Sequence, residues 1–348
     1  MTLPSLKIRS LESELPIIQA GMGVRVGNAC LAAAAVNAGG YGVIASVGLG
    51  DDTSREKRDF ARESNRFLVE EVRAARRLCG NKKPVGVNIM VALSNYEEIA
   101  RASVGEKVDF IISGAGLPLN LPQYVGDADI ALIPVISSGR ALAIILKAWK
   151  RKYNRAPDAV IVEGPRCGGH LGFSREELDR METRSLEILY AETSAVLKEY
   201  NLNIPLIGAG EVASRDDIRH MLKLGFAGVQ IGTRILATEE AGMDRASKMV
   251  YVSSRNSDVT VINSPVGLPV RVLKTALVER VLAGKRDQFT CPWRCLRTCN
   301  PATAPFCIAK ALMATWSGDI DNGLFMVGCN VDALDKITTV KEFFDSLR

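Results

Sequence analysis

The chain has 348 residues, of which 47% are hydrophobic and 24% charged, with a formal net charge of +5. That supplies one large domain, or a domain plus an appendage, and argues against wholesale disorder. The charge is small for the length, and no basic cluster interleaved with aromatics accompanies it, so nucleic acid is not an expected partner. The opening stretch, MTLPSLKIRSLESELP, has no apolar core of signal-peptide length, and no run of eighteen apolar residues occurs. The expectation is a cytoplasmic protein without a membrane partner.

Taken in chain order, short Val/Ile-rich runs alternate with helical stretches. PIIQAG reads as a strand, and Asn28 to Ala38 as a helix of small residues. YGVIAS is the next strand, followed by a charged helix around Phe67 to Leu78. VGVNIM, FIISG, ALIPVIS, AVIVEG, PLIGAG and GVQIGT continue the series, with helices at Arg140 to Lys152 and Leu186 to Tyr200. The connection after FIISG, LPLNLPQYVG, is short, so the fourth helix is expected to be degenerate. Eight such strands, apolar on both faces, predict an α/β fold, most economically a closed (β/α)8 TIM barrel. An open doubly wound sheet would favour GxGxxG after the first strand, which QAGMGVRVG only approximates.

The stretch EGPRCGGHLG, Glu163 to Gly172, follows the sixth strand. Gly168 and Gly169 carry no Cβ and let a flat ligand approach the backbone. His170 then stands at the strand mouth, where an imidazole can exchange a proton near neutral pH. The chain has two histidines, and His220 falls on a predicted surface helix. A plain glycine-rich turn with a capping histidine is the competing reading. After strand seven come Gly208 and Gly210; after strand eight come Gly232, Thr233 and Arg234. Backbone N–H groups at such turns form anion sites, and barrels often hold a ligand phosphate there. The Thr233 hydroxyl and Arg234 guanidinium are candidates for further bonds to that phosphate. Ordinary turn glycines are the alternative.

From Pro16 to about Thr238 these motifs, in order and spacing, resemble the nitronate monooxygenase family. That family is also called 2-nitropropane dioxygenase-like, and it includes flavin-dependent enoyl-reductases. PIIQAGMG matches its first-strand motif, GVNIMV its third, EGPRCGGHLG its histidine motif, and PLIGAGEVAS and AGVQIGTRIL its phosphate loops. The resemblance implies an FMN-binding barrel; the expected domains are that barrel over residues 1–250 and a C-terminal extension, 251–348, packed on it. It implies that Gly21, Met22 and Gly23 border the flavin and Asn88 contacts it. Gly168 and Gly169 would lie along the ring, Gly208, Gly210, Gly232 and Thr233 would hold its phosphate, and His170 would be catalytic. Three departures stand out: Cys167 where the family has Ala, Glu211 in place of a phosphate-loop glycine, and Ala20-Gly21 in place of Gly-Pro.

The extension carries CPWRCLRTCNPATAPFC, which sets Cys291, Cys295, Cys299 and Cys307 within seventeen residues. Four local thiolates can close around a [4Fe–4S] cluster, the leading reading, or a Zn²⁺ ion. Pro292, Pro301 and Pro305 would let the chain wrap. Unligated thiols along one helix face are the remaining reading. Oxidation of alkyl nitronates by O2 is the first functional expectation. The alternative is reduction of an activated double bond of the enoyl-thioester type, in which a cluster would feed single electrons to the flavin. A non-catalytic flavin-binding sensor is the third. Expected partners are a small-molecule substrate, a redox donor protein or NAD(P)H, and a second copy in a homodimer.

Overall fold

The computed structural model describes residues 2–48, 57–81, 84–180, 184–291 and 293–348. Pro292 therefore lies outside the described residues. The chain begins with a hairpin, β1 (Leu6–Ile8) and β2 (Leu11–Ser13), before the first barrel strand β3 (Ile17–Gln19). There follow α1 (Ala29–Asn37), β4 (Gly42–Ala45), α2 (Lys57–Leu78), β5 (Val85–Met90), α3 (Tyr96–Gly105) and β6 (Phe110–Gly114). The order continues with α4 (Leu121–Val125), β7 (Ala131–Ile136), α5 (Gly139–Tyr153), β8 (Val160–Glu163), β9 (Gly169–His170) and α6 (Arg175–Leu178). Next come α7 (Leu186–Glu199), β10 (Leu206–Ala209), α8 (Arg215–Leu224), β11 (Gly228–Ile231) and α9 (Thr233–Leu236).

All eight expected barrel strands form, parallel and in the order β3-β11-β10-β8-β7-β6-β5-β4. The ring closes between its first two strands: Gln19 N–H donates to Tyr41 O at 3.0 Å and Tyr41 N–H to Ile17 O at 2.9 Å. This is the (β/α)8 barrel that the strand rhythm predicted. Strands β4, β6 and β10 are buried throughout, as a sheet covered on one side by helices and filled on the other requires. Local signals start the helices: Asn28 accepts from Leu31 N–H, Ser138 from Ala141 N–H, and Ser214 and Asp217 form a capping box. The degenerate fourth helix is α4, five residues long. The charged second helix is longer than expected, starting at Lys57. The β1–β2 hairpin was not foreseen; the buried Tyr41 hydroxyl is within reach of Leu6 O at 3.3 Å and Leu11 O at 3.1 Å.

The rest of the chain covers the barrel rather than standing beside it. It runs through α10 (Arg245–Ser253), β12 (Val259–Asn263), β13 (Pro269–Leu273), α11 (Ala276–Leu282), α12 (Ile308–Ser317) and α13 (Val340–Ser346). The boundary expected at residue 250 thus falls inside α10. Strand β13 pairs with β12 and also with β9, aligning Val270 with His170 and Arg271 with Gly169. The cysteine segment is stitched to the loop after β5: Ser94 N–H donates to Cys295 O and Arg297 N–H to Ala92 O, both at 2.9 Å. Barrel and extension share one hydrophobic core. Among the described residues no helix is long and apolar enough to cross a membrane.

Candidate active site

The C-terminal ends of the barrel strands open into a cavity of about 230 Å³. Its wall contains Gly21, Met22, Gly23, Asn88, Gly168, Gly169, His170, Gly210, Gly232 and Thr233. Nine of the ten cofactor-contact positions inferred from the resemblance, and the histidine, are thus brought to one place. The tenth, Gly208, is not on this wall. It lies within β10, and a Cβ there would meet Phe226 at 3.2 Å and Met221 at 3.3 Å, on the helix side. Arg234 also turns away from the expected phosphate position. Its guanidinium donates to Ala333 O and lies over the Phe343 ring, 4.9 Å from the centroid. The helix turn that begins at Thr233 carries it outward to the extension.

The turn after β10 shows how the departures are accommodated. Gly210 has φ +103°, and a Cβ would stand 2.8 Å from Cys167 Sγ, so this position needs glycine. The Cys167 thiol donates to Ala209 O at 3.1 Å, and burial keeps it protonated. Cys167 is therefore a small packed residue rather than a nucleophile. Glu211 adopts φ +59°, the conformation a glycine would take easily. Its carboxylate pairs with Arg166 at 2.8 Å, which offsets the negative charge on the cavity wall. Thr233 Oγ1 accepts the Gly328 N–H at 3.0 Å, so the extension reaches the turn after β11 directly.

His170 is half-buried and its Nε2 lies 2.8 Å from Ser264 Oγ, in the turn between β12 and β13. Burial lowers the imidazole pKa to about 4, so the ring is neutral at physiological pH. Ser264 Oγ already accepts the Val266 N–H at 3.2 Å. In the tautomer that carries Nδ1–H, the Ser264 hydroxyl donates to His170 Nε2 and the Nδ1–H is left as a donor. Sequence reading passed over Ser264, which is 94 residues from His170. It also passed over Glu163, at the end of β8 on the cavity wall. Burial raises the Glu163 carboxyl to about 7, so it titrates in the working range. Gln230 on the same wall has a buried Oε1 with no hydrogen-bond partner among the described residues. A smaller recess of about 40 Å³ adjoins; Val47, Met90, His170 and Leu312 line both spaces.

The nitronate monooxygenase family matches this chain over residues 5–348. The chain belongs to the nitronate monooxygenase family. A nitronate monooxygenase of Pseudomonas aeruginosa is 29% identical over 312 residues, covering 78% of this chain and 82% of that protein. A 5-hydroxy-7a-methyl-1-oxo-octahydro-1H-indene-4-carboxyl-CoA dehydrogenase of Mycobacterium tuberculosis is 30% identical over 274 residues, 78% of this chain and 67% of its own length. Its counterpart in Rhodococcus jostii is 28% identical, and the chain spans 64% of that protein. Among solved structures, FabK from Thermotoga maritima superposes with a TM-score of 0.72 at 26% identity, covering 96% of this chain and 92% of that one. As a nitronate monooxygenase family member the chain is a flavin-dependent oxidoreductase.

Proposed function

We propose that this protein binds FMN across the barrel mouth and oxidises alkyl nitronates with O2. The residues present fit that cofactor. Gly21, Met22, Gly23, Asn88, Gly168 and Gly169 would border the ring, and the turns at Gly210–Glu211 and Gly232–Thr233 would hold the phosphate. The unpaired Gln230 Oε1 offers an acceptor to a ligand N–H. Bound FMN supplies the two-electron acceptor and, once reduced, the reductant for O2.

The observation that carries the substrate reading is the neutral His170. With a pKa of about 4 the imidazole is a weak base toward a carbon acid, well below the pH at which a general base works best. It is also, as neutral imidazole, a poor proton donor to a reduced carbon. What it can do is offer an N–H to an oxygen anion. A nitronate arrives already deprotonated and needs no more than that. The apolar residues Val47, Met90 and Leu312 around His170 suit its alkyl group.

Glu163 gives the test. Its carboxyl is neutral below about pH 7 and charged above, on the wall that faces an anionic substrate. Below pH 7, where Glu163 is protonated and His170 is a weak base, O2 consumption should be rapid with the nitronate and at least about 100-fold slower with the neutral nitroalkane. KM for the nitronate should rise roughly tenfold as pH passes through 7, a like-charge effect at protein dielectric. Glu163→Gln should flatten that rise. Equal rates for nitronate and nitroalkane, or an unchanged KM profile in Glu163→Gln, would contradict the reading.

A second reading is reduction of a double bond conjugated to a thioester. The CoA ester in the name of the Mycobacterium tuberculosis relative favours it, as does a cysteine block built against the recess that holds His170. In that case an enoyl thioester would reoxidise pre-reduced enzyme in the absence of O2.

A further inference from the structure

The four cysteines of the extension converge in space as well as in sequence. None is in a disulfide. Arg294, at φ +44°, turns the chain so that its own N–H donates to Cys291 Sγ at 3.4 Å. Cys307 is the N-cap residue of α12; the Ala309 and Lys310 backbone N–H groups lie near its sulfur, which makes no capping hydrogen bond. Cys295 and Cys307 pack on one small cluster of Phe60, Trp293 and Ala309. Cys291, Cys299 and Cys307 all stand close enough to Cys295 to interact with its sulfur, and Cys291 and Cys307 likewise with Cys299. Each of the four is thus within electrostatic reach of the others.

We propose that Cys291, Cys295, Cys299 and Cys307 are the four ligands of a [4Fe–4S] cluster. Loading forms four iron–sulfur bonds while the four thiols release their protons to solvent. The arrangement does not suit one metal ion. Among the described residues no three Cys, His, Asp or Glu side chains converge tightly enough to hold one. Zinc requires all four sulfurs about 2.3 Å from a common centre. A cubane binds its thiolates at four separate iron corners and accepts sulfurs that stand farther apart. The Arg294 N–H bonded to Cys291, and the backbone N–H groups of the α12 N-terminus near Cys307, are of the kind that stabilise and tune cluster sulfurs. Without such a centre, four half-buried thiols beside one another have no polar purpose in the fold. Cys295 also lines the recess that contains His170, Met90 and Val47, so the centre would sit one recess away from the barrel mouth.

This site stands independently of the substrate assignment, and its readouts are chemical rather than catalytic. Full-length protein prepared anaerobically, or reconstituted with iron and sulfide, should contain about four iron and about four acid-labile sulfide per chain. Dithionite should then elicit a paramagnetic signal distinct from that of flavin. Cys291→Ser and Cys299→Ser should each lose iron to background while flavin content stays unchanged. Alkylation of the native iron-loaded wild type keeps the proposal testable if a variant fails to fold. The exposed Cys30 should label while the four block cysteines stay protected until iron is stripped. Absence of iron after reconstitution, one zinc per chain, iron retained in both serine variants, or free labelling of the block in iron-loaded protein would each overturn it.

Discussion

Gly168→Ala is expected to abolish FMN retention, with affinity at least about 100-fold weaker, equivalent to about 3 kcal/mol. A Cβ at this position would stand 2.5 Å from the Val327 carbonyl carbon and 2.6 Å from Gly328 N. Both are backbone atoms, so no flexible side chain can yield. The segment they belong to is tied down on three sides. Val327 N–H donates to Arg271 O at 3.2 Å, Gly328 N–H to Thr233 Oγ1 at 3.0 Å, and Cys329 N–H to Arg166 O at 3.2 Å. Lifting it forfeits about 1 kcal/mol per bond, in addition to roughly 1–3 kcal/mol of overpacking. Arg166, Thr233 and Gly168 all belong to the cavity wall, so the damage falls on the proposed cofactor site. Gly105→Ala is the control, because a Cβ there meets nothing within 4 Å at the end of α3. FMN titrations monitored by fluorescence should separate the two variants; equal affinity would remove the close approach from the account.

His170→Ala should keep FMN and slow nitronate turnover by roughly 10–100-fold. That is the worth of one hydrogen bond to a charged oxygen, about 1.5–3 kcal/mol. The sign of the pH effect follows from the lowered pKa. The imidazole is neutral at every pH well above 4, so the ratio of wild-type to variant rate should stay constant between pH 5.5 and 8.5. A general base titrating near 6.5 would instead make the ratio grow with pH. A steady-state profile of both proteins distinguishes these, and a ratio rising with pH would return His170 to base catalysis.

Most of the barrel was legible because a parallel strand covered on both faces must be written in consecutive apolar residues. Each of the eight runs, from PIIQAG to GVQIGT, carries that signature. The short chain after FIISG likewise left room only for the five residues of α4. The glycine turns were legible for a related reason, since positions such as Gly210 and Gly168 exclude a Cβ. What escaped depended on contacts distant in sequence. Strand β9 exists because β13 pairs with it a hundred residues later, and the same hairpin delivers Ser264 to His170. Glu163 looked like any acidic residue at a strand end, because burial, which sets its pKa, is a property of the assembled mouth. Arg234 looked like a phosphate ligand until the extension supplied Phe343 and the Ala333 carbonyl. Gly208 has the spacing of a phosphate-loop glycine but precedes the end of its strand, where Met221 and Phe226 occupy the space beside it.

The central claim is that FMN in this mouth takes electrons from a nitronate beside His170. Rapid mixing of FMN-loaded protein with an alkyl nitronate under strict exclusion of O2 tests it most directly. The account predicts that the flavin absorbance bleaches in a single phase whose rate saturates with nitronate, and that admitting O2 restores it. A flavin that stays oxidised with nitronate yet, once pre-reduced, is reoxidised by an enoyl thioester would contradict the account.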